Sequence, residues 1–281
     1  MQKTTKRYFP IFVLPTLVAF CLAFVIPFIW GVYLSFHKFK TVKNTTFVGL
    51  DNYLNVFAED SDFIPAFKFT VAFAVVAVLL INVLAFVFAM LLTRKLRGTN
   101  VFRTIFFMPN LIGGIVLGYI WNSIFNAILQ EYGTTLVNDA KYGYWGLIIL
   151  MCWQLIGYMM IIYIAGLQNV PTDLNEAADI DGATGRQKLF KITIPMIMPS
   201  ITICLFLSLS NCFKLFDQNL SLTAGAPMDK TKMLALDIYD TFYGRSNSMG
   251  EGQAKAVVFF IIVALITITQ LALTRKKEVE Q

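Results

Sequence analysis

The stretch EAADIDGATGRQKLFKITIPMIMPS, residues 176–200, sets a polar, charged segment between two long apolar runs. Just before it, Pro171-Thr172-Asp173 closes the preceding run and can open a helix. Asp173 with Glu176 three residues on fits an N-cap and N3 pairing, with both acids at the positive helix end. Leu174, Ala177 and Ala178 follow at helical spacing and form a small apolar face that lets another backbone approach. Asp181-Gly182 supplies a turn, because glycine accepts left-handed dihedrals. A second helical stretch, about 185–192, carries Arg186, Lys188 and Lys191 back toward apolar sequence, where Pro195 opens the next run. The expected shape is helix, turn, helix along a membrane surface. A helix that merely rests on lipid is the competing reading. It fits poorly, because the first helix is acidic, its apolar face is largely alanine, and anionic lipid repels acid.

The flanking runs set the class. Hydrophobic residues make up 57% of the chain, charged residues only 14%, and phenylalanine alone contributes 26. A soluble domain carries roughly 25% charged residues. A span needs about 20 apolar residues to cross a hydrocarbon core about 30 Å thick. Six such runs are present, near 11–36, 67–93, 102–124, 145–166, 194–216 and 254–274. Helices are expected throughout, since backbone groups in lipid must be satisfied within the segment and no barrel-like alternation is present. The first run could follow a signal-peptide charge pattern through Lys3, Lys6 and Arg7. It is too long for an h-region, contains Pro15 and Pro27, and has no small-x-small site before Ser35. A retained helix is expected.

Lysine and arginine placement predicts orientation. With a cytoplasmic N-terminus, the inner segments hold Lys3, Lys6, Arg7, Arg94, Lys95, Arg97, Arg103, Arg186, Lys188, Lys191, Arg275, Lys276 and Lys277. Their acids are Asp173, Glu176, Asp179, Asp181, Glu278 and Glu280. Basic groups thus gather in short inner loops, as the positive-inside rule requires. Both termini and the 171–192 loop are expected in the cytoplasm. The net charge of +6 is then a topology signal, and no basic patch with interleaved aromatics supports nucleic-acid binding.

Chemistry-bearing motifs are scarce. Cys21, Cys152, Cys204 and Cys212 fall inside spans without Cys-x-x-Cys spacing, and the lone His37 has no ligand-spaced neighbour. These cysteines are expected to pack as small apolar residues. No catalytic or metal site is expected, and no Gly-x-x-x-x-Gly-Lys run exists to bind ATP.

The order Glu176-Ala177-Ala178, Asp181-Gly182, Gly185 and Ile192-x-Ile194-Pro195 resembles the EAA loop of bacterial ABC importer permeases. In that family the loop forms a coupling helix that seats in a groove on an ATPase subunit. The resemblance implies that Glu176, Ala177, Ala178, Asp181, Gly182 and Gly185 couple this chain to such a subunit, with Glu176 meeting a basic residue. It extends over most of the chain. Trp153-Gln154-x-x-Gly157-Tyr158, Ala165-Gly166-Leu167-Gln168, Phe216-Asp217 and Leu222-Thr223 look like the carbohydrate-uptake branch. Within it they are similar to maltose-, glycerol-phosphate- and multiple-sugar-type permeases, the first of two sister subunits. One departure is Thr223-Ala224-Gly225-Ala226-Pro227, where that branch commonly has Thr-Gly-Gly-Gly-Pro.

The resemblance implies an all-α, six-span type I ABC importer permease fold, with residues 1–281 as one transmembrane domain. It implies a second homologous permease, two ATPase subunits that bind ATP and Mg, and an extracellular sugar-binding protein docking near 218–252. The cargo would be a sugar, in particular an oligosaccharide, carried across the bacterial cytoplasmic membrane. No cofactor is expected in this chain itself.

Polar groups within spans are costly and usually face a cavity or a partner helix. Asn211, Lys214 and Asp217 or Gln218 would share one face of span five, with Lys214 and Asp217 able to pair. Gln154 and Tyr158, beside Trp153, offer amide and aromatic groups suited to sugars. Asn122 and Asn82 are further pathway candidates, each also able to bond between helices. Gly114-x-x-x-Gly118 reads as a close-packing seam, and Pro15, Pro27, Pro109 and Pro199 are expected to bend or interrupt their helices. A self-contained, ion-coupled secondary transporter or channel is the alternative. Against it, the spans show no obvious internal repeat and no mid-span acid for an ion relay. A membrane enzyme would need a carboxylate pair, His cluster or activated nucleophile that the sequence lacks.

Overall fold

The computed structural model describes residue 9 and residues 13–41, 44–94, 98–244 and 248–276. Ile11 and, among the residues counted for orientation, Lys3, Lys6, Arg7, Lys95, Arg97, Lys277, Glu278 and Glu280 lie outside these. Helix α1 (Val13–Leu34) contains a π-helical turn at Cys21–Val25. An antiparallel hairpin of β1 (His37–Thr41) and β2 (Asn44–Phe47) follows, pairing His37 with Phe47 and Lys38 with Thr46. Next come α2 (Asp51–Val56), α3 (Phe63–Leu92), α4 (Thr99–Phe107), α5 (Gly114–Gln130), α6 (Ala140–Gln168) and α7 (Thr172–Ile180). The chain ends with α8 (Gly185–Met196), α9 (Met198–Phe213), α10 (Asp217–Leu222), α11 (Leu234–Tyr239) and α12 (Met249–Arg275).

Four helices, α1, α3, α6 and α12, are long and apolar enough to cross a membrane unbroken. The expected third and fifth spans are not straight helices. Residues 102–124 belong to α4 and α5, joined by a 3₁₀ turn at Met108–Leu111 and bent by 102°. Pro109 removes a backbone donor there, and Ile112 and Gly113 are extended, with ψ of 134° and 141°. Residues 194–216 divide similarly. A 70° bend separates α8 from α9 at Ile197, between Pro195 and Pro199, and α9 stops at Phe213.

The chain forms two compact units. One comprises Met1–Phe63 with Ile238–Ile261. Within it Phe28 packs on Phe260 with centroids 4.8 Å apart, and Phe39 meets Phe242 edge-on. The fully buried Lys255 donates to Thr241 Oγ1 at 2.9 Å and lies 3.8 Å from Glu251 Oε1. The second unit comprises Ile64–Asp237 with Ile262–Gln281. Its centre is α6, an apolar helix buried over most of its surface between Gly143 and Ile164, with Trp145, Ile149, Trp153 and Ile161 as its exposed stripe. Helix α4 crosses α6 at Gly157, where an added Cβ would collide with the Phe106 carbonyl. Helix α10 lies on α5, where a Cβ on Gly114 would come within 2.8 Å of Asp217 Cβ and one on Gly118 would strike Ser221. The Gly114/Gly118 seam is therefore the seat of α10.

Candidate functional site

Two regions collect the expected site residues, and they differ in kind. The first is a polar cavity of about 350 Å³ within the second unit, lined by Gln154, Asn211, Lys214, Asp217, Gln218 and Gly114 with apolar neighbours. It lies between the start of α5, the middle of α6 and the segment joining α9 to α10. Gln154, nearly buried on α6, sits at the junction. Its Oε1 accepts from Gln218 Nε2 at 2.7 Å, and its Nε2 reaches the Ile112 carbonyl freed by the α4–α5 bend, at 3.5 Å. One side chain thus links the Ile112 bend to α10, which follows the break at 214–216.

The expectation that Asn211, Lys214 and Asp217 share a continuous helix face is corrected. Lys214 ends α9 in a non-helical conformation (φ −86°, ψ 8°), Phe216 breaks the chain (φ −120°, ψ −60°), and Asp217 begins α10. The break itself turns these side chains to one cavity. Lys214 and Asp217 are both exposed, and among the described residues no ion pair joins them. The cavity offers one charge of each sign, three amides and no large apolar wall among its polar groups. Such a surface suits a neutral, hydroxyl-rich molecule that both donates and accepts hydrogen bonds.

Four other candidates lie elsewhere. Asn82 joins three helices: it donates to Ser208 Oγ at 2.8 Å and to Val78 O, and it accepts from Tyr163 Oη at 2.8 Å. Asn122 donates to the Leu222 carbonyl at 2.6 Å and accepts from Asn126, whose Oδ1 receives the Leu136 N–H. Both asparagines hold helices together, the first of the two roles open to them. Trp153 is exposed and stands edge-on to Trp121, while Tyr158 leans on Phe107. Sequence reasoning named Gln218 only as a substitute for Asp217, because neither proline nor glycine marks the break at 214–216.

From within α10, the fully buried Asn219 organises the tight loop that follows. It donates to Thr223 Oγ1 and the Thr231 carbonyl and accepts the Met233 N–H at 2.9 Å. Ala224 is held there at φ 49° and Gly225 at φ 85°. Left-handed alanine costs about 1–2 kcal/mol that glycine avoids, partly offset by glycine's greater unfolded-state freedom. Ala224→Gly is therefore expected to stabilise the chain by about 0.5–1 kcal/mol, read as a higher unfolding temperature. An unchanged or lowered temperature would show that the loop does not strain Ala224.

The second region is the 171–192 loop. Helix α7 starts two residues earlier than the Asp173 cap implies, at Thr172, with Pro171 as its cap. Asp173 is therefore inside the first turn, accepting from Thr172 Oγ1, and does not cap the helix. Its φ near −58° prepares Pro171 for that position without a side-chain cap. At the other end Gly182 takes φ 71°, and the N–H groups of Gly182 and Ala183 bond back to the carbonyls of Asp179 and Ala178. This is a Schellman closure, which needs a residue tolerant of left-handed backbone. Thr184 and Gln187 then form a capping box that opens α8, a signal the sequence reading passed over. Lys188 Nζ meets Asp179 Oδ1 at 2.6 Å across the turn. Glu176, Ala177, Asp181, Gly182 and Gly185 are exposed and Ala178 half-buried, as are the apolar side chains of Leu174 and Ile180 exposed. The turn is rigidly built, yet its surface carries no partner within the described chain.

Residues 94–276 match the family described as "Binding-protein-dependent transport system inner membrane component". The chain belongs to this family. It is a multi-pass inner-membrane permease, and the ion-coupled transporter or channel reading is left without support. The permease is 45% identical to the "Probable starch degradation products transport system permease protein AmyD" of Thermoanaerobacterium thermosulfurigenes, over 96% of this chain and 94% of that one. It is 29% identical to the "Multiple sugar-binding transport system permease protein MsmF" of Streptococcus mutans, over 99% of each. Its fold matches a chain of a bacterial ABC transporter involved in the import of the acidic polysaccharide alginate, with a TM-score of 0.82, 20% identity and 98% of each chain covered. That likeness establishes the type I importer permease fold.

Proposed function

We propose that residues 1–281 act as one transmembrane domain of an ATP-driven, binding-protein-dependent sugar importer, with oligosaccharides as cargo. The carrying observation is the 45% identity, along nearly the whole chain, to a permease named for starch degradation products. The polar, amide-lined cavity adds chemical support, since hydroxyl-rich sugars suit paired donors and acceptors. In this reading Gln154, Asn211, Lys214, Asp217 and Gln218 line part of the pathway, and Asn82, Asn122, Trp153 and Tyr158 shape the helices around it.

A second, homologous permease completes the pathway. Two ATPase subunits bind ATP and Mg and seat the exposed α7 turn through Glu176, Ala177, Ala178, Asp181, Gly182 and Gly185. An extracellular sugar-binding protein docks on the opposite side, near 218–252. The chain holds both termini in the cytoplasm, as its basic inner segments favour. Partners that bind inward- and outward-facing states unequally then alternate access to the cavity.

The test is uptake of radiolabelled malto-oligosaccharides by vesicles holding both permeases and the ATPase pair. Uptake is expected only with ATP inside and the binding protein outside. Lys214→Ala with Gln154→Ala is expected to lower uptake about tenfold or more, in line with a polar site losing two partners. Uptake that needs neither ATP nor the binding protein would sink the importer reading. Full uptake by the double variant would remove the cavity from the pathway.

A further inference from the structure

Helix α2, in the first unit, has no part in either region above, yet its surface is sorted into three sectors. One faces the protein: Asn52 and Val56 are buried, Asn52 donates to the carbonyls of Ser35 at 2.7 Å and His37 at 3.0 Å, and Tyr53 Oη meets Ser35 Oγ at 2.6 Å. A second sector is apolar and uncovered. Leu50, Leu54 and Phe57 recur at i, i+4 and i+7, within roughly 60° of one another on a helix, and are 62%, 69% and 57% exposed. The third sector, Asp51 and Asn55, is polar and exposed. At the end of β2, Phe47 adds a ring that is 69% exposed, and Lys38 and Lys40 project from β1 opposite the buried His37 and Phe39.

The chain dictates where such a helix can be. Residues 35–50 lead to it directly from α1, and residues 57–62 lead from it into α3, and both of those helices cross the membrane. Six residues reach at most about 20 Å when fully extended, so α2 stays beside the bilayer boundary. A water-facing position would leave the apolar stripe solvated. A position inside the hydrocarbon would strand Asp51 and Asn55 without water. Only the interface satisfies both exposed sectors at once.

With both termini cytoplasmic, as proposed above, we infer that α2 and Phe47, at the base of the hairpin, lie in the lipid interface at the outer end of α1. Leu50, Leu54 and Phe57 enter the boundary between headgroups and acyl chains, and Asp51 and Asn55 turn to water. Lys38 and Lys40 extend their ammonium groups toward lipid phosphates, as long basic side chains do at this depth. The segment then works as an anchor that sets the depth and rotation of α1 while other helices move. The occupant is lipid, independently of which sugar is carried.

The test places an environment-sensitive nitrobenzoxadiazole label at Leu54→Cys, with Phe57→Cys as an independent repeat and Asn55→Cys as the polar-sector reference. The label is attached to the complete complex in vesicles of phosphatidylcholine and phosphatidylglycerol, and the wild-type chain reports background from the native cysteines. Labels at 54 and 57 are expected to be quenched at least twofold more by lipid carrying a nitroxide high on the acyl chain than by iodide in water. The label at 55 is expected to show the reverse order. Iodide reaching 54 as readily as 55 would mean a water-facing helix. Shielding of 54 from both quenchers would mean that another subunit covers it. Shielding that arises only when the sugar-binding protein is added would make it a docking surface for that protein. Each of these three results overturns the anchor.

Discussion

Glu176→Lys is expected to uncouple ATP from uptake while leaving the permease folded. Glu176 is exposed on α7 and bonds to nothing within the described chain, so its removal costs the isolated chain little. In the proposed complex the same carboxylate faces a basic residue of the ATPase, buried from water. Losing one partner of such a pair costs about 2–5 kcal/mol, and reversing the charge adds repulsion. Association of the ATPase pair should weaken by roughly 30-fold or more, and ATP-driven uptake by reconstituted vesicles should fall in step. Glu176→Gln, which keeps the shape and some hydrogen bonding, should lose less than the lysine variant. Co-purification of the ATPase and initial uptake rates read both effects. Undiminished uptake by the lysine variant would remove α7 from the coupling path. The rigid closure at Gly182 and the Thr184–Gln187 box matter here, because a lever transmits force only if its turn does not bend.

Gly157→Val is expected to be the most destabilising single change in the second unit. A Cβ at 157 would collide with the Phe106 carbonyl and lie 2.7 Å from the Phe107 nitrogen, both main-chain atoms that no rotamer change can move. Forcing α4 away from a well-packed α6 costs about 3 kcal/mol, a large share of the 5–15 kcal/mol that holds a typical domain together. Because α4 runs into the Ile112 break, its displacement should also pull that carbonyl away from Gln154 and disturb the cavity. Thermal unfolding of the purified complex measures the loss. Gly113→Ala is the control, since a Cβ there meets nothing within 4 Å and should shift stability by less than about 0.5 kcal/mol. Equal stability of the two variants would show that α4 does not press on α6 at this point.

Legibility in the sequence varied with the range of the interactions involved. The apolar runs were readable because lipid demands hydropathy residue by residue, and four of the six expected spans appear as unbroken helices within a few residues of their expected ends. The α7 turn was readable because Asp181-Gly182 and the charges around it act locally. Its cap was misjudged by two residues, since Pro171 and Asp173 compete for the same position and tertiary context decides between them. The bends at Ile112 and Ile197 were readable in part, since Pro109 and Pro199 were expected to bend or interrupt their helices and both spans do bend there. The same expectation failed for Pro15 and Pro27, which stand within α1 without breaking it.

Residue order alone therefore determined a helical membrane protein and a polar turn built to be exposed between its fourth and fifth spans. Both follow from additive, local terms: transfer of side chains into lipid, helix capping and glycine's backbone freedom. Only the tertiary structure decided how sharply the third and fifth spans bend and that a further break falls at 214–216, that Asn82 and Asn122 bond between helices, and that Gln154, Asn211, Lys214, Asp217 and Gln218 line one cavity. A broken helix survives beside lipid only when distant groups satisfy the backbone it frees. Here Gln154 reaches the Ile112 carbonyl and itself accepts from Gln218, 64 residues further along the chain, and no local pattern shows that they will meet.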